Sequence, residues 1–329
     1  MAAASATTGF SADPAPAGSV CLFPGATIEA AGLVFSWGGP EARAQVADRR
    51  LEVILPAACL QGLEAEAWTL PTAREAHEEE GFALLRGDGW MLGAAVVPVD
   101  EVTLEERTRD LYARMFKVLG PHQLYRCWNW VPAINAIPEG MIERYRLFSR
   151  GRSEAFNAAF SDEAEAHMPA ASAVGVAGDR LVLVFLAGKW PCHYWENPEQ
   201  TPAFHYPAQY GPRAPSFSRA TSVETPWGRR LFISGTASIK GSESLFEGDV
   251  ERQAWVTAQN LELITHTAGF GPALMSPEGR RAFRCYLRLP ADTERWSRRW
   301  PRIWPVLTVS QADICRADLA VEIEGTLAE

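Results

Sequence analysis

The sequence predicts an α+β protein made of two copies of one unit, each a mixed sheet with helices packed on one face. Two observations predict it. The order hairpin, helix, strand occurs twice along the chain, and the strand segments YRCWNWVP (125–132) and FRCYLRLP (283–290) agree in aromatic, Arg, Cys, aromatic and Pro at five matched positions. The length of 329 residues is also enough for two domains of ordinary size.

The first copy begins with a hairpin over residues 82–97, where two apolar runs flank an Arg-Gly-Asp-Gly turn. A helix follows between Thr103 and Gly120, with a capping box of Thr103 and Glu106 and with apolar residues at helical spacing. After the strand at 125–132, the segment EGMIERYRLFSRGRSEAFNAAF (139–160) predicts a second helix, weakened at Gly151.

The second copy repeats this order. The segment TSVETPWGRRLFISGTASI (221–239) predicts a hairpin, and DVERQAWVTAQNLELITHTAGF (249–270) predicts a helix that ends at Gly269, before the strand FRCYLRLP. We therefore expect a flexible N-terminal arm over residues 1–20, an N-terminal unit over residues 21–165 and a C-terminal unit over residues 166–329.

The composition excludes several classes of protein. Hydrophobic residues make up 47% and charged residues 22%, which excludes disordered, collagen-like and coiled-coil chains. The formal charge of −9 disfavours nucleic acids and anionic lipid surfaces as partners. The six cysteines include no CxxC pair, so reduced thiols in the cytoplasm fit best. The start MAAASATTGFSADPAPAGS lacks the basic and apolar regions of a signal peptide, and no apolar run is long enough to span a membrane.

The irregular stretch between the two copies is a candidate binding loop. The segment HYPAQYGPRAPSFSR (205–219) places Tyr206, Tyr210, Arg213 and Arg219 among prolines, which suits a preorganised anion site. A Pro-rich surface loop is the alternative. Arg152, in the Arg-Gly-Arg segment 150–152, could also meet an anion or else lie on a solvated helix face.

Two further clusters give weaker signals. Eight arginines and three tryptophans between residues 280 and 304 resemble a nucleic-acid surface, although arginine is the usual cation throughout this chain. Cys192, His193 and His205 could be zinc ligands, but their spacing is irregular and no fourth ligand is evident, so no metal is predicted. The sequence contains no phosphate-loop, dinucleotide-binding or serine-hydrolase motif.

The C-terminal segment VLTVSQADICRADLAVEIEGTL (306–327) is the most informative part of the chain. Its alternation places Glu322 and Glu324 on one face of a strand. A carboxyl group that faces an enclosed site has its pKa raised by burial and can act as a general acid, whereas a solvent-facing strand edge is the alternative. A regular strand would place Cys315 opposite Glu322, so the chain must turn or bulge near residues 316–318 if both serve one pocket.

Six segments, in this order, resemble the chorismatase family: YRCWNWVPAIN, RYRLFSRGRSEAF, HYPAQYGPRAPSFSRAT, FISGTASIKGSES, GDVERQAWVTAQNLELI and ADICRADLAVEIEG. The similarity covers nearly everything after about residue 80, and the second half also resembles the YjgF-type imine deaminase fold. It implies two YjgF-like (chorismate-mutase-like) units, of which the C-terminal one is catalytic. YjgF-type deaminases carry a carboxylate-binding arginine in a Pro-x-Arg strand. The comparable position here is Leu307, which argues against simple imine hydrolysis.

The resemblance implies chorismate as the substrate, with no metal and no organic cofactor. Glu322 matches the family's catalytic glutamate, which protonates the enolpyruvyl ether, and arginines would bind the two carboxylates of the substrate. In the family, a cysteine at the position of Cys315 accompanies a hydroxybenzoate product and an alanine accompanies a diene. Ala237 lies in a second motif that shapes this choice.

We therefore expect an enzyme that converts chorismate to a hydroxybenzoate, 3-hydroxybenzoate foremost with or without the 4-isomer, and pyruvate. We expect it in the cytoplasm, as a monomer or a homo-trimer, with no nucleic-acid or membrane partner. Three alternatives stay open: hydrolysis of chorismate to a dihydroxycyclohexadiene carboxylate, a non-catalytic binder of aromatic acids on the same fold, and an RNA-binding module that uses the basic cluster.

Overall fold

The computed structural model describes residues 23–24, 31–70, 75–87, 89–276 and 280–329, so the predicted arm over residues 1–20 lies outside the described residues. Strands of the first part are β1 (Phe23–Pro24), β2 (Leu33–Trp37), β3 (Arg43–Ala47), β4 (Arg50–Leu55), β5 (Cys59–Gly62), β6 (Ala65–Thr69), β7 (Glu75–Glu79), β8 (Phe82–Gly87), β9 (Trp90–Pro98), β10 (Gln123–Pro132), β11 (Ala170–Val176) and β12 (Arg180–Gly188). Strands of the second part are β13 (Cys192–Trp195), β14 (Ala220–Thr225), β15 (Gly228–Thr236), β16 (Ile239–Lys240), β17 (Glu243–Ser244), β18 (Arg280–Leu287), β19 (Val306–Gln311) and β20 (Val321–Ala328). The α-helices are α1 (Leu104–Leu119), α2 (Arg144–Phe160), α3 (Val250–Thr267), α4 (Gly271–Met275) and α5 (Thr293–Ser297).

The two copies predicted from the sequence have the same strand order. The first sheet runs β11-β10-β12-β9-β8-β7, and the second runs β19-β18-β20-β15-β14-β13 with β5 added beside β19. In both sheets one pair is parallel, β10 with β11 and β18 with β19, while the other pairs are antiparallel. The duplication and the mixed α+β fold are thus confirmed.

Helices cover one face of each sheet. Leu111 and Met115 of α1 and Phe148 and Phe156 of α2 pack with Phe185 of the first sheet in one apolar core. A matching core lies between the second sheet and α3, α4 and α5. Burial of these large side chains away from water stabilises the packing of helices on sheets.

Besides the two-stranded sheet of β16 and β17, the structure has a third large sheet. Its order is β1-β6-β2-β4-β3, and its apolar side chains share a core with the helix-free faces of both other sheets. Phe35 and Trp68 of this sheet, for example, contact Trp128 of β10 at ring-centroid distances of 5.7 and 5.4 Å. Within residues 31–70, the strands β2, β3, β4 and β6 therefore belong to a separate layer and not to the first repeated unit, while β5 joins the second sheet.

The domain boundary also differs from the expectation. The predicted division between residues 165 and 166 precedes β11 and β12, which both belong to the first sheet. Because β12 pairs between β9 and β10, the first unit is closed only at Gly188 and extends that far instead of ending at residue 165.

Two local details of the first helix pair correct the sequence analysis. Thr103 makes no side-chain cap to α1 and instead donates to the carboxylate of Asp100, which also accepts the backbone amides of Val102 and Thr103, so the predicted capping box is wrong. The helix α2 continues through Gly151, and a Cβ atom at this position would overlap the carbonyl oxygen of Glu105. Glycine permits the close approach of α1 and α2 at this point.

None of the helices in the described parts of the chain combines the length and the apolar character that a membrane crossing requires.

Candidate active site

A pocket lies where the two units meet. The first unit contributes α2 and β11. The second contributes β15, β20, the loop before β20 and residues 215–217 of the loop before β14. Its lining residues are Tyr145, Phe148, Ser149, Arg152, Ala171, Ser172, Ala173, Pro215, Ser216, Phe217, Gly235, Cys315 and Glu322. The empty space between these residues is about 380 Å³, with the open mouth included.

Glu322 lies on the pocket wall with its carboxyl group buried. Its side chain belongs to β20, the residue is only 3% exposed, and Oε1 has no hydrogen-bond partner among the described residues. Burial raises its pKa to about 8, the neighbouring charge of Glu324 adds to the rise, and Arg126 opposes it. Glu322 is therefore protonated at neutral pH, as a general acid must be.

Glu324, two residues along the same strand, has every oxygen engaged. Oε1 accepts from Trp128 Nε1 and Arg284 Nη1, both at 2.9 Å, and Oε2 accepts from Arg126 Nη2 at 2.7 Å and from the hydroxyl of Ser172. The two glutamates lie on one face of β20. Ser172 of β11, which donates to Glu324, lines the pocket together with Glu322. The carboxyl group of Glu324 is thus fully hydrogen-bonded, whereas Oε1 of the neighbouring Glu322 has no partner among the described residues.

Cys315 lies in the same pocket as Glu322. The chain bends and turns over residues 315–318, and the amide of Leu319 donates to the carbonyl of Arg316 before β20 begins. This is the turn that the sequence analysis required. Burial and the nearby Glu322 raise the pKa of the Cys315 thiol to about 12, so it stays protonated and can donate a weak hydrogen bond.

Arg152 is a buried cation without an anion. It is 3% exposed, its guanidinium lies over the rings of Tyr112 and Phe156 at 5.1 and 5.6 Å, and Nε and Nη2 have no partner among the described residues. The hydroxyl of Ser149, which also lines the pocket, is likewise unpartnered. A buried guanidinium of this kind needs an anionic partner, and the pocket is where one could bind.

Five other candidates from the sequence are absent from the described pocket wall. Arg219 is buried, but it donates to Thr201 O and to the hydroxyl of Tyr206, which ties the loop together. Tyr210 donates to Glu243 and stacks under Arg316, while Arg213 is exposed. Ala237 is buried in the shared core of the three sheets.

Other residues reach the pocket that the sequence analysis did not select, among them Tyr145, Ser149, Ser172 and Gly235. Gly235 belongs to the FISGTASI segment already singled out, but nothing local marks it above Ala237. A Cβ atom at Gly235 would overlap Oε1 of Glu322, so the glycine makes room for the carboxyl group.

The side chains behind the two weaker sequence signals lie apart from this pocket. Trp296, Trp300 and Trp304 are buried in the core under the second sheet and cannot stack on bases. The side chains proposed as zinc ligands have separate contacts, since Cys192 bonds Gln123 and His205 bonds Glu165. In the described ranges no group of three or more His, Cys, Asp or Glu side chains is placed to hold a metal ion.

Comparisons with known proteins agree with the resemblance seen in the sequence. Residues 66–187 match the family model described as "Chorismatase FkbO/Hyg5-like, N-terminal". A 3-hydroxybenzoate synthase of Streptomyces hygroscopicus is 34% identical over 282 residues, which cover 80% of this chain and 81% of that protein. A chorismatase of Streptomyces rapamycinicus is 34% identical over 277 residues, 80% of this chain and 82% of that protein. A crystal structure of a chorismatase superposes with a TM-score of 0.80 and 28% identity, covering 91% of this chain and 93% of that one.

Proposed function

The chain belongs to the chorismatase family, and we propose that it converts chorismate to a hydroxybenzoate, 3-hydroxybenzoate foremost, and pyruvate. One observation supports this assignment most. Three buried polar groups without partners, on Glu322, Arg152 and Ser149, face a single pocket. Buried polar groups usually have a hydrogen-bond partner, so three groups without one on a single pocket wall fit a site that is completed by its ligand.

Arg152 is proposed to bind one of the two carboxylates of chorismate. It is the one cationic side chain on the described pocket wall, and its unpartnered nitrogens can donate to a carboxylate. Ser149 would donate to the same carboxylate or to the ring hydroxyl. Phe148 and Phe217 supply apolar surface for the ring.

Glu322 is proposed to start the reaction by protonating the methylene carbon of the enol ether. The proton leaves the carboxyl oxygen, the alkene electron pair forms the new C–H bond, and the cation is shared between the former alkene carbon and the ether oxygen. The carboxylate that remains on Glu322 stabilises this oxocarbenium ion. Release of the side chain as pyruvate takes up one water, and loss of the ring hydroxyl returns one, so the hydroxybenzoate outcome consumes no net water.

Cys315 supports the hydroxybenzoate outcome over the diene. Its thiol lies on the wall beside Glu322, where it can contact the ring, and the family associates a cysteine at this position with an aromatic product. The same proposal includes the isomer, with 3-hydroxybenzoate expected ahead of 4-hydroxybenzoate.

The test is incubation of the purified protein with chorismate, followed by a coupled assay for pyruvate and chromatography of the ring product. We expect pyruvate and an aromatic acid in equal amounts. Glu322→Gln should lower turnover by roughly two to four orders of magnitude, the usual range for a lost general acid. Glu329→Gln, which makes the same chemical change at the far end of β20, is the matched control.

Pyruvate with a diene in place of the aromatic acid would favour hydrolysis as the reaction. Tight binding of chorismate without pyruvate release would show a non-catalytic binder and contradict the proposal.

Location and assembly complete the proposal. The five described cysteines are free thiols, which fits a reducing compartment such as the cytoplasm. A monomer or homo-trimer is proposed, and sedimentation of the purified protein distinguishes the two.

A further inference from the structure

The matched arginines of the two repeated units converge on one carboxylate. Arg126 of β10 and Arg284 of β18 occupy the same position of the YRCW and FRCY segments, and both bond Glu324, at 2.7 and 2.9 Å. Arg284 is held from its other side by Glu66 of the third sheet, whose oxygens accept from Nε at 3.0 Å and from Nη2 at 2.7 Å. All four side chains are buried.

The charges of this cluster balance without Glu322. Two guanidinium groups face two carboxylates, Glu66 and Glu324, so the cluster is neutral when Glu322 carries its proton. Ionised Glu322 would add an unbalanced negative charge in a buried place next to Glu324. Burying an unpaired charge is costly, so the cluster favours the protonated acid.

Other titratable and charged groups surround Glu322 on several elements. They are Tyr145 and Arg152 of α2, Tyr286 of β18, and Cys315 and Arg316 of the loop before β20. Tyr286 accepts from Arg284, Arg316 bonds Ser242 and Ser244, and Arg152 is proposed to take up the substrate carboxylate. None of them supplies a carboxylate in place of Glu324.

We propose that Glu324 is a positioning residue whose fixed negative charge, anchored by Arg126 and Arg284 and supported by Glu66, keeps the neighbouring acid Glu322 in its protonated form. This rests on the proposed role of Glu322 as the acid. Glu324 itself does not line the described pocket and acts through its neighbour.

The experiment measures turnover against pH for the full-length protein and for Glu324→Gln. A general acid works while protonated, so the wild-type rate falls as the pH rises through the pKa of Glu322, about 8. Without the charge of Glu324, Glu322 ionises more easily, and the falling limb should move down by about one pH unit or more. Glu66→Gln should move it the same way by less, and Glu329→Gln should leave it in place.

A folded Glu324→Gln protein with an unmoved limb would overturn the inference, since a purely structural role lowers the rate equally at all pH values. If that variant does not fold, Glu66→Gln decides, and an unmoved limb there has the same meaning. A second readout needs no turnover: the infrared band of the protonated carboxyl that disappears in Glu322→Gln, followed against pH. If the wild type releases no pyruvate, the proposed function fails, while a lower midpoint of this band in Glu324→Gln would still support the charge relation.

Discussion

Gly235 and Glu322 face each other so closely across β15 and β20 that a Cβ atom on Gly235 would overlap Oε1 of the carboxyl group. The hydroxyl oxygen of Ser172 lies 3.1 Å from the position that this Cβ atom would occupy. The carboxyl group therefore sits in a recess with a glycine floor, and its position depends on the absence of a side chain there.

Gly235→Ala tests this recess. The methyl group should displace the carboxyl of Glu322 while the sheet stays intact, and a misplacement of about 1 Å can lower a rate about 100-fold. Pyruvate release and circular dichroism are the measurements. Ala237→Gly, two residues along and away from the described pocket wall, should retain turnover near that of the wild type. Equal rates for Gly235→Ala and the wild type would contradict the geometry.

The pH dependence of stability gives a separate check on Glu322. Its pKa is about 8 in the folded protein and about 4.5 when unperturbed, so the folded state holds the proton more tightly. Stability from this group is complete below about pH 4.5 and is lost as the pH rises towards and through 8. Glu322→Gln removes that loss. Its melting temperature should exceed that of the wild type at pH 8 to 9, and the difference should shrink at pH 5; a constant difference would argue against a buried neutral acid.

Arg152→Gln should weaken ligand binding and have little effect on the stability of the fold. Removing a charge-assisted hydrogen bond to a carboxylate costs about 1.5–3 kcal/mol, so affinity for 3-hydroxybenzoate, measured by calorimetry, should fall roughly 10- to 100-fold. Arg152 has no anion of its own in the described structure but contacts the rings of Tyr112 and Phe156, so its replacement should change the melting temperature only slightly. The exposed Arg213 provides the matched control, Arg213→Gln, and should bind normally. Unchanged affinity in Arg152→Gln would remove it from the site.

Cys315→Ala should keep pyruvate release and change the ring product. The thiol contacts the pocket beside Glu322, and a difference of about 1.4 kcal/mol between the two outcomes changes their ratio tenfold. We expect the hydroxybenzoate fraction to fall in favour of the dihydroxy-diene acid, as seen by chromatography. Cys315→Ser keeps a donor of similar size and should stay closer to the wild type. An unchanged product from Cys315→Ala at an unchanged rate would show that the thiol only packs.

Local patterns were enough to predict much of this molecule. Apolar spacing and turn residues predicted α1, α3 and both hairpins, because these elements form among residues that are near in sequence. The repeat of YRCW and FRCY predicted the duplicated unit. The capping box failed because Asp100 accepts the amide of Thr103 and also the hydrogen of its hydroxyl group. The place of β12 between β9 and β10 could not be read from local patterns, because these strands are distant in sequence.

The sequence by itself determined that Glu322 and Glu324 share a face of a strand and that Cys315 needs a turn to join them, since strand alternation is a local property. Only the tertiary structure shows how the surroundings of the two carboxyl groups differ. Arg126 and Arg284, from strands of different units, form ion pairs with Glu324, and Glu322 has no ion pair among the described residues. Whether a carboxyl group holds its proton depends on its burial and on the charges that remote segments bring near it. The same applies to Arg152, which faces the pocket while Arg150, on the same helix, bonds Glu105 of α1.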